Sequence, residues 1–256
     1  MKKKISKTIL ITGATGSLGE VLVKKLIDKI DVVKIIAYAR DEYKMSELEK
    51  KIDSPKVEYW LGDIRNLERL KEACEGVDII IHTAALKRMD TVSHNVSEVA
   101  DVNITGTKNV AIAGKNCEKI IFVSTDKANE PSCIYGASKM IAEGIILARK
   151  NGIVWRFGNF IDSRGSVFEI FKKQKESGEL TITHPSATRF VIDMEEVCDF
   201  LLGKAHSGIN YPPSLKSMSI LEIANSIAPK ATHKIIGLRE GEKMHESFNK
   251  YYTSEK

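Results

Sequence analysis

The stretch ILITGATGSLGE, with Gly13, Gly16 and Gly19 three apart, constrains the fold more than any other part of the chain. It ends an apolar run and opens a stretch of helical periodicity, SLGEVLVKKLIDKI, so the glycines mark a strand-to-helix turn. Each has a separate job there. Gly13 permits the tight exit from the strand, Gly16 lets the backbone approach a pyrophosphate, and Gly19 allows the helix to lie close on the sheet. The free amides of the helix start then face the phosphates. A dinucleotide is expected on the turn formed by Gly13, Thr15, Gly16, Ser17, Leu18 and Gly19.

The alternation continues downstream. KTILITG, VVKIIAYAR, KVEYWLGD, VDIIIHTAA and KIIFVST read as strands, and MSELEKKI, NLERLKEACEG and the long VSEVADVNITGTKNVAIAGKN read as helices. Strands rich in Ile and Val without polar alternation suit a parallel sheet covered on both faces. Right-handed βαβ crossovers then give an α/β fold with a doubly wound sheet over residues 1–157. After Trp155 the rhythm changes to clusters of Gly, Ser and Arg, so residues 158–256 are expected to form a smaller lobe that binds substrate. IDMEEVCDFLLGKA, about residues 190–204, is expected to return to the first lobe.

Charge and cysteine usage exclude several classes. A net charge of +5 over 256 residues, partly held in the terminal MKKKISK, is too small for a nucleic-acid footprint. Cys74, Cys117, Cys133 and Cys198 form no CxxC pair, which fits reduced thiols in a cytoplasm and gives no zinc site. No metal is expected. No segment reaches the roughly 20 apolar residues that span a bilayer.

The strand ends carry the chemistry. At the second, Ala39 is followed by Arg40, which favours the 2'-phosphate of NADP; Asp41 keeps NAD open as the alternative. At the third, Asp63 falls where an adenine edge would lie. KIIFVSTDK delivers Thr125, Asp126 and Lys127 to the edge where such sheets bind ligands. Tyr135 and Lys139, four apart, share one face of the next helix. Lys139 is expected to lower the Tyr135 phenol's pKa and to hold a nicotinamide ribose, so that Tyr135 removes a hydroxyl proton as hydride leaves the same carbon.

On the residues TGATGSLG, GDIRNLERL, IIHTAALKR, STDKAN, YGASK, GNFIDSRGSV, TRF and IIGLREGEKMHE, the chain resembles the extended short-chain dehydrogenase/reductases. More narrowly it resembles the UDP-N-acetylglucosamine 4,6-dehydratases of the CapD-like polysaccharide-biosynthesis group. The resemblance implies a Rossmann fold, a UDP-sugar substrate and a homo-oligomer. It adds Lys44, Ile64, Thr83, Ala84, Lys87 and Phe160 to the cofactor contacts. It places Lys87, Asn159, Arg164, Gly165, Ser166, Thr188, Arg239 and Glu242 around the nucleotide sugar. It assigns removal of the C5 proton to Lys127, protonation of the departing C6 hydroxyl to Asp126, and the C4 base to Tyr135, with inversion at C5. The chain departs from the group at Asp162, where glycine is common, and it stops soon after GEKMHESF. A UDP-sugar 4-epimerase or keto-sugar reductase is the nearest alternative, and a non-catalytic NADP-binding module a more distant one.

Overall fold

In the computed structural model, residues 6–88 and 94–255 are described; most of the basic terminus lies outside them. The first lobe runs β1 (Lys7–Thr12), α1 (Ser17–Ile27), β2 (Val32–Ala39), α2 (Glu42–Lys51), β3 (Val57–Leu61), α3 (Leu67–Ala73) and β4 (Ile79–His82). Next come α4 (Val96–Val99), a π-helical stretch (Ala100–Thr105), α5 (Gly106–Ala113), β5 (Lys119–Thr125), α6 (Ile134–Leu147) and β6 (Gly152–Phe157). The second half contributes β7 (Asn159–Phe160), α7 (Val167–Gln174), β8 (Glu179–Ile182), β9 (Thr188–Ile192), α8 (Met194–Leu202) and β10 (Gly208–Asn210). It ends with β11 (Lys216–Ser219), α9 (Ile220–Ile227), β12 (Thr232–Ile235), β13 (Ser247–Asn249) and β14 (Tyr252–Thr253).

Seven strands form one sheet in the order β10-β6-β5-β4-β1-β2-β3, and every pairing in it is parallel. The order reverses between β1 and β4, so the crevice that takes a ligand opens at their carboxyl ends. Both faces are covered, which is why the strands show no polar alternation. Leu18, Leu22, Met45, Leu48, Val197 and Leu201 from α1, α2 and α8 fill one face. Leu70, Val110, Ala142 and Ile146 from α3, α5 and α6 fill the other. Helix α8 packs on α1, and β6 and β10, which periodicity did not reveal as strands, extend the sheet beyond β5.

The long helix at 96–116 is one continuous rod with a π-helical stretch inside it. There Asn103 is buried, and its amide holds the Leu86 N–H and carbonyl as well as the Ser138 hydroxyl. The extra residue of the wide turn coincides with that side chain's service to the loop after β4, a common setting for π-bulges.

Helices α7 and α9 and strands β8 and β9 pack around a third core of Phe168, Phe171, Leu180, Val191, Ile223 and Ala224. Asp162 adopts φ of 58°, the left-handed region that Asp tolerates far better than bulky residues, so the aspartate at this glycine-favouring position is accommodated.

Candidate active site

The glycine turn has the shape its spacing predicts. Gly13 has φ of 72°, and a Cβ there would stand 2.8 Å from the backbone nitrogen of Ala84, because β1 and β4 abut at this point. A Cβ on Gly19 would collide with the Gly13 carbonyl, so α1 could not sit where it does. At Gly16 a Cβ would meet the Gly13 carbonyl alone, which leaves its outer side open. No side chain caps α1, so its first amides are available to an anion. These features fit a dinucleotide pyrophosphate. Below the turn, buried His82 at the end of β4 bonds Thr12 through Nδ1 (2.6 Å) and Thr107 through Nε2 (3.0 Å). Thr107 spends its proton on the Asn103 carbonyl, so His82 donates from Nε2 and accepts at Nδ1. Burial pulls His82 down to about 3.

Other expected cofactor residues divide into two kinds. Asp41 caps α2 through the Lys44 N–H and pairs with the Lys44 ammonium at 2.7 Å, so both side chains serve the helix start. Arg40 is exposed and touches Asp63 at 3.8 Å. Asp63 resists burial and stays below the usual carboxylate range because Arg65 grips it with three nitrogen–oxygen contacts. Ile64 is buried against Gly106 and acts in packing. Thr83 bonds the Thr12 carbonyl at 2.8 Å, and Phe160 packs edge-on to Phe157.

At the end of β5 the polar cluster is drawn inward. Asp126 is fully buried, and its Oδ1 accepts from Thr125 (2.9 Å) and from the Lys127 ammonium (3.1 Å). Lys127 also reaches Asn159 Oδ1 at 3.4 Å and Glu246 Oε1 at 3.2 Å. Burial works to neutralise Lys127, yet the two carboxylates outweigh it and raise its pKa. Burial raises Asp126, helped by the negative charge of Glu246. Tyr135 is half-buried with its phenol pushed up to about 12 by burial, against the pull of Lys127. Lys139 donates to the Val123 carbonyl at 2.6 Å over the Phe122 ring, and burial brings it down to about 7. The cation that favours the Tyr135 phenolate is thus Lys127, where the spacing had suggested Lys139.

The expected sugar-side residues are less uniform. Lys87, its pKa lowered by burial and by Arg164, reaches the Ser163 hydroxyl at 3.3 Å. Arg164 crosses to the glycine turn, donating to the Thr15 carbonyl and Ser17 Oγ. Gly165 has φ of 75°, and Ser166 caps α7. Thr188 is buried and bonds His245 and Ser254. Glu242 is occupied: it takes the Arg189 guanidinium at 2.6 Å and the Thr183 hydroxyl, while the Arg239 side chain is exposed above it. Sequence reasoning missed Glu246 and Arg189. TRF and IIGLREGEKMHE stood among the recognised motifs, but nothing local distinguishes a buried Glu or Arg from a solvated one.

Residues 9–255 match the model of a family described as polysaccharide biosynthesis protein. The chain belongs to this family. A UDP-N-acetylglucosamine 4,6-dehydratase (inverting) of Campylobacter jejuni subsp. jejuni serotype O:2 is 40% identical over 255 residues, covering 94% of this chain and 76% of that protein. A UDP-glucose 4-epimerase of Rickettsia rickettsii is 34% identical over 267 residues, covering 95% and 77%. Among solved structures, Pen from Bacillus thuringiensis superposes with a TM-score of 0.89 at 28% identity, over 95% of this chain and 82% of that one. The dTDP-glucose 4,6-dehydratase DesIV from Streptomyces venezuelae, solved with NAD and TYD bound, shares the fold at a TM-score of 0.80 and 20% identity, over 93% and 86%. This polysaccharide biosynthesis protein thus has the architecture of nucleotide-sugar dehydratases and epimerases. Among the described residues no helix is long and apolar enough to cross a membrane.

Proposed function

We propose that this chain is a UDP-N-acetylglucosamine 4,6-dehydratase that uses NADP, inverts C5 and acts in the cytoplasm to supply surface-glycan assembly. The observation that carries the reading is buried Asp126 paired with half-buried Lys127 beside Tyr135 at the sheet's ligand edge. An epimerase needs a hydroxyl base and a nicotinamide; an acid and an amine set together in addition suit elimination.

When bound, the nicotinamide dinucleotide supplies the hydride exchange, accepting hydride from the sugar's C4 and returning it to C6. The turn from Gly13 to Gly19, Asp63, Thr83 and Lys139 would hold it. Tyr135 takes the C4 hydroxyl proton in its phenolate form, which the Lys127 charge favours against burial. Oxidation at C4 acidifies the C5 proton, which Lys127 removes, and Asp126 gives its proton to the departing C6 hydroxyl so that water leaves. Asn159 orients Lys127. Arg40, exposed at the end of β2, is the group for a 2'-phosphate. A homo-oligomer is proposed from the apolar side chains that α4 and α6 leave exposed, Val96, Ile134, Met140 and Ile141.

The test is incubation with UDP-N-acetylglucosamine in deuterated water, followed by NMR. A 4-keto-6-deoxy product carrying deuterium at C5, with couplings of the L configuration, is expected. A product that keeps its C6 oxygen and changes only at C4 would favour the epimerase; a D-configured product would overturn inversion alone. Lys127→Ala should abolish elimination while NADP binding persists.

A further inference from the structure

Two carboxylates meet one amine in this cluster, and the second has no role in the chemistry above. Glu246 lies at the start of the C-terminal hairpin formed by β13 and β14, 3% exposed, with its backbone tied to Ser254 in both directions. Asn129 beside the β5 edge bonds Ser247, and Arg156 donates to the Phe248 carbonyl, so the hairpin is latched to the floor of the site. Asp126 Oδ2 and Glu246 Oε2 are both buried without a hydrogen-bond partner among the described residues.

The charges decide what such a cluster can be. With Lys127 as ammonium and both carboxyls ionised, the trio carries one net negative charge in a buried site, and one added proton makes it neutral. Without Glu246, the neutral state would be the plain Asp126–Lys127 ion pair, in which Asp126 has no proton to give. Of the surrounding groups, Lys243 adds a positive charge that helps hold Glu246 low. Tyr135 and Cys133 face the cluster from the start of α6, Arg189 from β9 and Lys243 from the segment before β13. Arg189 is balanced by Glu242, and Lys243 is turned onto the Asn129 carbonyl.

We propose that Glu246 is a positioning residue for elimination: by sharing the Lys127 ammonium it keeps Asp126 in its acid form, and it receives the Lys127 proton when the amine must act as base. In that step one N–H bond of Lys127 breaks and one O–H bond of Glu246 forms. The freed lone pair takes the C5 proton, and the Asp126 proton leaves with the C6 hydroxyl as water. The directions fit the resting state, an acid Asp126 beside an ionised Glu246, whereas the transfer from Lys127 to Glu246 runs uphill because the two carboxylates raise Lys127. Burial and Glu246 raise Asp126 against the pull of Lys127. Burial alone would raise Glu246, but Lys127 and Arg189 outweigh it and hold it low.

The inference rests on the dehydratase reading, so its test includes a readout that needs no turnover. Infrared difference spectra of the whole protein at neutral pH should show the carbonyl band of a protonated buried carboxyl. That band should vanish in Asp126→Asn and also in Glu246→Gln. On mixing Glu246→Gln with NADP and UDP-N-acetylglucosamine, reduced nicotinamide should form while deuterium uptake at C5 falls roughly 100-fold, and Glu246→Asp should recover part of the rate. A band that persists in Glu246→Gln, or in Asp126→Asn, overturns the proposal, as does wild-type deuterium uptake in Glu246→Gln. Should Glu246→Gln fail to fold, wild type and Asp126→Asn still decide, because a band that is absent, or lost by the ordinary carboxylate range, refutes it. A wild-type protein that makes product without the band sinks the role of Glu246 alone. One that shows the band yet makes no product sinks the dehydratase reading and this role with it.

Discussion

His82 sits under the glycine turn as a neutral imidazole, which makes acid the perturbation of choice. Its ordinary value of 6.5 falls to about 3 because burial penalises the imidazolium and Lys139 adds like charge. In the window between those values the unfolded chain binds a proton that the folded protein refuses, so stability falls as pH drops. At about pH 4.5, two pH units below the ordinary value, the loss is ~2.7 kcal/mol, and it levels off near ~5 kcal/mol below about pH 3. For a chain of this size ~2.7 kcal/mol is roughly 5–10 °C in melting temperature. Denaturant unfolding of wild type and His82→Gln between about pH 7.5 and 4.5 isolates the term, since every other titration is common to both. The wild type should lose ~2.7 kcal/mol more than the variant across that range. Its imidazole ring protons should keep their neutral chemical shifts to the lower limit. Parallel stability curves, or a ring that titrates near 6.5, would refute the account.

Arg156 and Glu143 form a buried two-pronged pair, and Arg156 also holds the Phe248 carbonyl of the C-terminal hairpin. Arg156→Met should cost ~3–5 kcal/mol in urea unfolding by stranding the carboxylate. Arg156→Met combined with Glu143→Leu should recover most of that. Gly19→Ala should weaken NADP binding, measured by calorimetry, more than tenfold and lower stability by ~1–3 kcal/mol, because the added methyl would push α1 off the Gly13 carbonyl. Arg40→Ala should weaken NADP far more than NAD, by roughly tenfold or more; an equal loss for both would remove Arg40 from 2'-phosphate recognition.

Local signals carried the first lobe. Apolar runs of strand length, helical periodicity and three spaced glycines each depend on residues within a turn or two of one another, so β1 to β5 and the turn after β1 could be read directly. Tyr135 and Lys139 likewise share a helix face by spacing alone. What spacing could not fix was the direction each amine takes: Lys139 turns to the Val123 carbonyl, and Lys127 is the cation that pulls on the phenol. Arg164 and Glu242 show the same limit, the first reaching the glycine turn and the second consumed by Arg189. Glu246 approaches Lys127 only because the C-terminal hairpin folds back under β5, and β10 joins the sheet only because β6 offers a free edge. Sequence fixes what a residue's near neighbours make of the backbone. The protonation of a buried cluster is set by charges brought together from distant segments, and packing alone brings them.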